Sequence, residues 1–321
     1  MSVPPAQSLW QRSSGADTSL GMAVMSDNIR GALLMTGGMF AFTVNDAFMK
    51  SVSDQIPLFQ AVLIRGTGAI ICLTLMCRAM NQLHFNLPRR DWGLILLRTL
   101  GEVGGTYFFL TALFHMPIAN VSAILQALPL AVSLAATLFL GEALGWRRFA
   151  AIGIGFVGVV FIIQPGGADF SGYSIYALIS VACITLRDLA VRRMSVQVPV
   201  VFVALIAAIG VTTLGAVGSL FITWQTMSPT SLLQIGCATI FLIFGYLFSV
   251  SAMRSGEISF VAPFRYTSLL VALILGILVF DEWPNALTLF GGAIVVATGL
   301  FTLWRERRLR IRHNLSPDRI R

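Results

Sequence analysis

Polar and apolar positions in this chain fall into long blocks. Ten apolar runs of roughly 20 residues each predict membrane-spanning helices. They lie at about 31–49, 57–77, 92–114, 118–140, 146–163, 173–191, 199–222, 231–253, 258–280 and 284–304. The breaks carry turn chemistry: Pro57, Pro88, Pro117, Gln164-Pro165-Gly166-Gly167, Pro199, Ser228-Pro229 and Pro284. Spans 3 and 4 are separated by little more than Met116-Pro117, which predicts a tight helical hairpin. The fold class expected is all-α integral membrane.

Composition agrees. The chain has 321 residues, 56% hydrophobic and 11% charged, against about 25% charged in a soluble domain. The net charge of +8 does not form a nucleic-acid groove. Seven of the 22 basic residues sit in a tail, 305–321, and most others lie in short loops. With the N terminus in the cytoplasm, 17 basic residues fall on the cytoplasmic side and only Lys50 outside. The positive-inside rule selects that orientation, with both termini cytoplasmic in a multi-pass inner-membrane protein. Residues 1–29, polar and rich in Ser, Gly and Pro, are expected to be disordered. The four cysteines lie in apolar runs, and neither they nor the three histidines have metal-ligand spacing. No metal or cofactor is expected.

The chain repeats itself. Thr43-Val44-Asn45-Asp46-Ala47-Phe48-Met49-Lys50 matches Thr185-Leu186-Arg187-Asp188-Leu189-Ala190-Val191-Arg192 as Thr-x-x-Asp-x-x-x-basic, at offset 142. Tyr107 aligns with Tyr246 at offset 139, and Phe139-Leu140-Gly141-Glu142 with Val279-Phe280-Asp281-Glu282 at offset 140. Two five-span repeats, 30–164 and 165–304, follow. An odd number of spans per repeat inverts the second, an arrangement frequent in carriers that alternate access.

Ala112-Leu113, Pro117-Ile118-Ala119, Pro129-Leu130, Phe139-Leu140-Gly141-Glu142 and the glycine-rich fifth span resemble the EamA repeat of the drug/metabolite transporter superfamily. The second copy departs from it, with Ser268 in place of Pro129 and Asp281 in place of Gly141. Ala262-Pro263-Phe264-Arg265-Tyr266-Thr267 is similar to a branch that includes riboflavin importers. The resemblance implies ten helices around a cavity lined mainly by spans 1, 3, 4, 6, 8 and 9.

Seven ionisable residues lie within spans: Asp46, Arg65, Arg98, Glu102, Arg187, Asp188 and Arg265. Each costs about 2.5–3.5 kcal/mol at a helix centre on an insertion scale, so they are expected to face inward and pair. Arg98 and Glu102 share a face of span 3, as a structural ion pair or as cavity lining. Asp46 and Asp188 lie toward opposite membrane faces, each one turn before a basic residue, Lys50 or Arg192. They are expected to gate or couple transport on their own sides; the alternative is interfacial snorkelling of Lys50 and Arg192. Gln126 and Arg265 occupy equivalent positions near the middle of spans 4 and 9, where a repeat-interface site is expected. Asn120, Tyr107 and Tyr266 complete the candidate substrate site with Arg98 and Glu102. Four interior arginines face three interior carboxylates, which suits a ligand with an anionic or acceptor-rich face.

Gly153-Ile154-Gly155-Phe156-Val157-Gly158 fits a dinucleotide fingerprint but lies inside an apolar span with no preceding strand, so helix packing is expected. No catalytic cluster or nucleotide-hydrolysis motif appears. The reading is a non-enzymatic secondary carrier, monomeric or homodimeric, whose partners are lipid and a small-molecule substrate. Riboflavin uptake is the first assignment. Export or exchange of amino acids or S-adenosylmethionine-like metabolites is the alternative, and a structural or assembly subunit the alternative of another class.

Overall fold

The computed structural model describes residues 7–83, 86–141, 145–167, 170–195, 197–255 and 258–314, with side chains from Asp27 onward except at 253, 254, 258, 259 and most positions after Arg305. Nine helical segments among them are long and apolar enough to cross a membrane. These are Asp27–Ser51 (span 1), Leu58–Ala79 (span 2), Ile118–Leu140 (span 4), Trp146–Ile163 (span 5), Tyr173–Arg193 (span 6), Val200–Ser219 (span 7), Pro229–Ala252 (span 8), Ala262–Phe280 (span 9) and Ala286–Arg305 (span 10). Span 3, Arg89–His115, is 27 residues long and carries Arg98 and Glu102. At 1.5 Å per residue it reaches about 40 Å, enough to cross. The helix of span 1 begins at Gln7. The segment expected to be disordered is thus helical from that residue, since no proline stands between Pro5 and Pro57 to end it.

Surface and interior are reversed relative to a soluble bundle. Leu138, Phe139 and Leu278 on the outside are 69%, 71% and 77% exposed. Burying such side chains away from water is worth about 1.5–3 kcal/mol each, and here lipid supplies the apolar surroundings. Asn45, Arg65, Arg98, Gln126 and Ser180 are buried within.

The main packing pairs are spans 1 and 8, 3 and 6, 2 and 7, and 5 and 10, with 4 against 9. Exchanging the first five spans with the second five maps this set onto itself, which is the packing expected of two inverted repeats. Smaller features follow the same exchange. Span 4 breaks after Leu125 and resumes at Leu128. Span 9 passes through a 3-10 turn, Ala262–Tyr266, before its α-helix starts at Thr267. Gly141 and Asp281 end these two spans in the left-handed conformation, with φ of 70° and 53°. Their N–H groups bond the equivalent carbonyls of Ala136 and Gly276. Glu142, which follows Gly141, lies outside the described residues. Peripheral clasps also match: Ser195 bonds Asp91, and Ser231 bonds Gln55.

Close packing needs small residues. A methyl group added at Gly101 on span 3 would lie 2.8 Å from the Cys183 carbonyl oxygen and 2.9 Å from the Arg187 backbone nitrogen on span 6. Backbone cannot yield as a side chain can, so Gly101→Ala is expected to part the two spans and cost about 1–3 kcal/mol. The check is a lower midpoint for thermal unfolding in detergent. Gly158 and Gly291 make a similar contact between spans 5 and 10, and Gly155 meets Leu130 and Thr298, so two glycines of the dinucleotide-like pattern serve helix packing, while Gly153 faces open space.

Candidate functional site

The approach of span 3 to span 6 brings their charges together. Glu102 Oε2 lies 3.5 Å from Arg98 Nη2, one turn back on the same helix, and 3.4 Å from Arg187 Nη1. Arg187 Nε donates in turn to Asp188 Oδ1 at 2.9 Å. The Arg265 guanidinium, from the 3-10 turn of span 9, lies within electrostatic reach of Asp188 and Arg187. The result is an alternating string, Arg98–Glu102–Arg187–Asp188–Arg265, running across spans 3, 6 and 9. Arg98 is 9% exposed and its Nη1 has no hydrogen-bond partner. Arg265, at the other end, is exposed.

A second group lies nearby. Asn45 Nδ2 donates to Asp46 Oδ1 at 2.9 Å, and Arg65 Nη1 donates to Asn45 Oδ1 at 3.4 Å. Arg65 acts electrostatically on both Asp46 and Glu102. Tyr246, packed edge-on against Phe42, lies within reach of Arg65, Arg98, Glu102 and Arg187. The two groups therefore form one interior network.

Lys50 belongs elsewhere. Its Nζ lies 3.0 Å from Glu282 Oε1 and donates to the carbonyls of Leu113, at 3.2 Å, and Met116, at 2.6 Å. Glu282 Oε2 accepts the N–H of Ile118 at 2.9 Å. A cation thus sits on the carbonyl end of span 3 and a carboxylate on the amide end of span 4, each complementing its helix dipole. The two pair with each other, which ties spans 1, 3, 4 and 9 together at one end of the bundle.

The remaining candidates are dispersed. Gln126 is not joined to Arg265: its Nε2 donates to Ser268 Oγ at 2.8 Å, one turn further along span 9. Tyr266 is turned into span 10, where its hydroxyl meets Gly299 and has no hydrogen-bond partner. Asn120 has a buried Oδ1 without a partner. Tyr107 stacks on Phe59 with ring centroids 5.9 Å apart and heads a row of rings through Phe108, Tyr176 and Tyr173 to His115. Arg192 is exposed in the last turn of span 6. Asp46 bonds Asn45 rather than Lys50, and Asp188 bonds Arg187. The two carboxylates read from sequence as separate gates both enter the interior network. Glu282, the partner of Lys50, was not among the residues singled out from sequence, although its alignment with Glu142 marked it. No group of three or more metal-ligating side chains occurs among the described residues.

Comparison with known proteins follows the architecture. Residues 29–164 match the EamA-like transporter family. The chain is 25% identical to a riboflavin transporter of Vibrio cholerae, over 92% of this chain and all of that one. It is 26% identical to a pseudopaline exporter of Pseudomonas aeruginosa, over 83% of this chain and 93% of that one. It is 23% identical to an S-adenosylmethionine uptake transporter of Rickettsia conorii, over 83% and 90%. A solved crystal structure, 18% identical, superposes with a TM-score of 0.62 over 87% of this chain and 98% of its own, so the fold is shared. The spans, their pairing and these matches make the chain a multi-pass membrane protein whose first five spans match the EamA-like transporter family and whose full length is similar to transporters of the drug/metabolite transporter superfamily.

Proposed function

We propose that this chain is a secondary carrier of the inner membrane that imports riboflavin by alternating access. Two repeats, 30–164 and 165–304, would rock about the interior charge network, with both termini cytoplasmic. The network carries this reading, since intramembrane charge held at the repeat interface is the usual mark of a solute path. The riboflavin assignment draws on the full-length match to a riboflavin transporter and on the segment Ala262–Thr267. Tyr266, a candidate for the substrate site, supplies less support because it faces span 10.

In this orientation the Lys50–Glu282 contact lies at the outer end, and it would act as the outer gate. Saturable riboflavin uptake into proteoliposomes containing the purified protein, absent from protein-free vesicles, is the expected result. Absence of saturable flux would remove riboflavin. Exchange of amino acids or S-adenosylmethionine in the same vesicles would install the alternative substrates.

A further inference from the structure

The alternating string holds three cations and two carboxylates, so it carries one positive charge without a partner among its own members. That excess is not spread evenly. At one end is the buried Arg98, whose Nη1 donor is unused. At the other is Arg265, which is exposed. A buried cationic donor left unsatisfied is costly, and an anionic partner would satisfy it. Counting along the helices, Arg98, Arg187, Asp188 and Arg265 all lie in the half of the bundle assigned to the cytoplasm, whereas Asp46 and Arg65 offset each other in the outer half. The positive excess therefore has one location, between spans 3, 6 and 9.

We propose that this string is the receptor for an acid group, a carboxylate or a phosphate, on the transported metabolite. Arg265 presents the accessible guanidinium and Arg98 the spare buried donor, while Glu102 and Asp188 hold Arg187 between them and keep the guanidinium groups apart. A planar guanidinium suits either oxyanion through paired N–H donors. The proposal rests on the carrier reading but not on riboflavin as the cargo: it favours acid-bearing metabolites, so that a neutral flavin would be a poorer ligand than the same ring bearing a phosphate.

Two titrations on the purified protein in detergent test it. Flavin fluorescence quenching compares riboflavin with riboflavin 5′-phosphate, which share a ring and differ in the acid group. The phosphate ester is expected to bind about tenfold or more tighter, a difference of about 1.4 kcal/mol. Arg265→Gln should reduce the ratio to within about twofold, whereas Arg265→Lys, which keeps the charge, should retain part of it. Equal binding of the two flavins by the wild type overturns the proposal. If neither flavin binds, the riboflavin assignment fails and inorganic phosphate becomes the probe. Phosphate should raise the thermal midpoint of the wild type above that in chloride of equal ionic strength, and should not do so in Arg265→Gln or Arg98→Gln. The same rise in all three proteins would mean an adventitious ion only and would also overturn the proposal.

Discussion

Glu102→Gln is expected to be the most damaging single substitution in the interior. One carboxylate oxygen is shared by Arg98 and Arg187, at 3.5 and 3.4 Å. With an amide in its place, two guanidinium groups on closely packed helices face each other with only Asp188 to offset them. Removing one member of a buried ion pair costs about 3–5 kcal/mol, a large part of the roughly 5–15 kcal/mol that holds a typical protein folded. The protein should accumulate poorly in membranes and unfold many degrees lower in detergent. Arg98→Gln alone should be milder, because Glu102 keeps Arg187. The double variant Arg98→Gln/Glu102→Gln should be less destabilised than Glu102→Gln, since it removes one cation along with the carboxylate. A double-mutant cycle on thermal midpoints reads this directly. Simple addition of the two single losses would show that the side chains do not interact in the folded protein.

The spans were legible because lipid leaves so few solutions. An uninterrupted apolar run of roughly 20 residues has to be a helix there, and prolines at the breaks mark the ends. The same constraint made Arg98, Glu102, Arg187 and Asp188 readable as an inward-facing group, since none of them could face lipid. Which partner each would choose was less legible. Gln126 and Arg265 are equivalent by number but not by geometry. Span 4 is α-helical up to Leu125, whereas span 9 enters through a 3-10 turn over Ala262–Tyr266. A 3-10 residue turns about 20° further than an α-helical one, so a few of them swing Arg265 off the shared face and bring Ser268 to Gln126. The partners of Lys50 were hidden for another reason. Two of its contacts are backbone carbonyls at the end of span 3, and carbonyls leave no trace in side-chain spacing. Its carboxylate is delivered by the left-handed Asp281, which sends the chain back so that Glu282 meets the start of span 4.

That delivery makes the Lys50–Glu282 contact directional, and a charge swap exposes the direction. Glu282→Gln removes the carboxylate from both Lys50 and the Ile118 N–H. Favourable, partly buried charges at helix ends are worth up to about 2 kcal/mol, which corresponds to roughly a thirtyfold shift in a two-state equilibrium. The shift should favour the form open at this end, read as faster labelling of a cysteine placed at Asn120 by a membrane-impermeant thiol reagent, in a background lacking the four native cysteines. Lys50→Glu alone should do the same, because it sets a carboxylate against the Leu113 and Met116 carbonyls and against Glu282. In the swap, Lys50→Glu with Glu282→Lys, the ion pair could re-form across the same gap. Yet Glu at position 50 would still face two carbonyl oxygens, and Lys at position 282 would face an amide hydrogen, so both helix ends would carry the wrong sign. Labelling should therefore stay fast in the swap and return to the slow wild-type rate only in a charge-conserving change such as Lys50→Arg. Recovery of slow labelling by the swap would reduce the contact to a plain ion pair and remove the helix ends from the proposed gate.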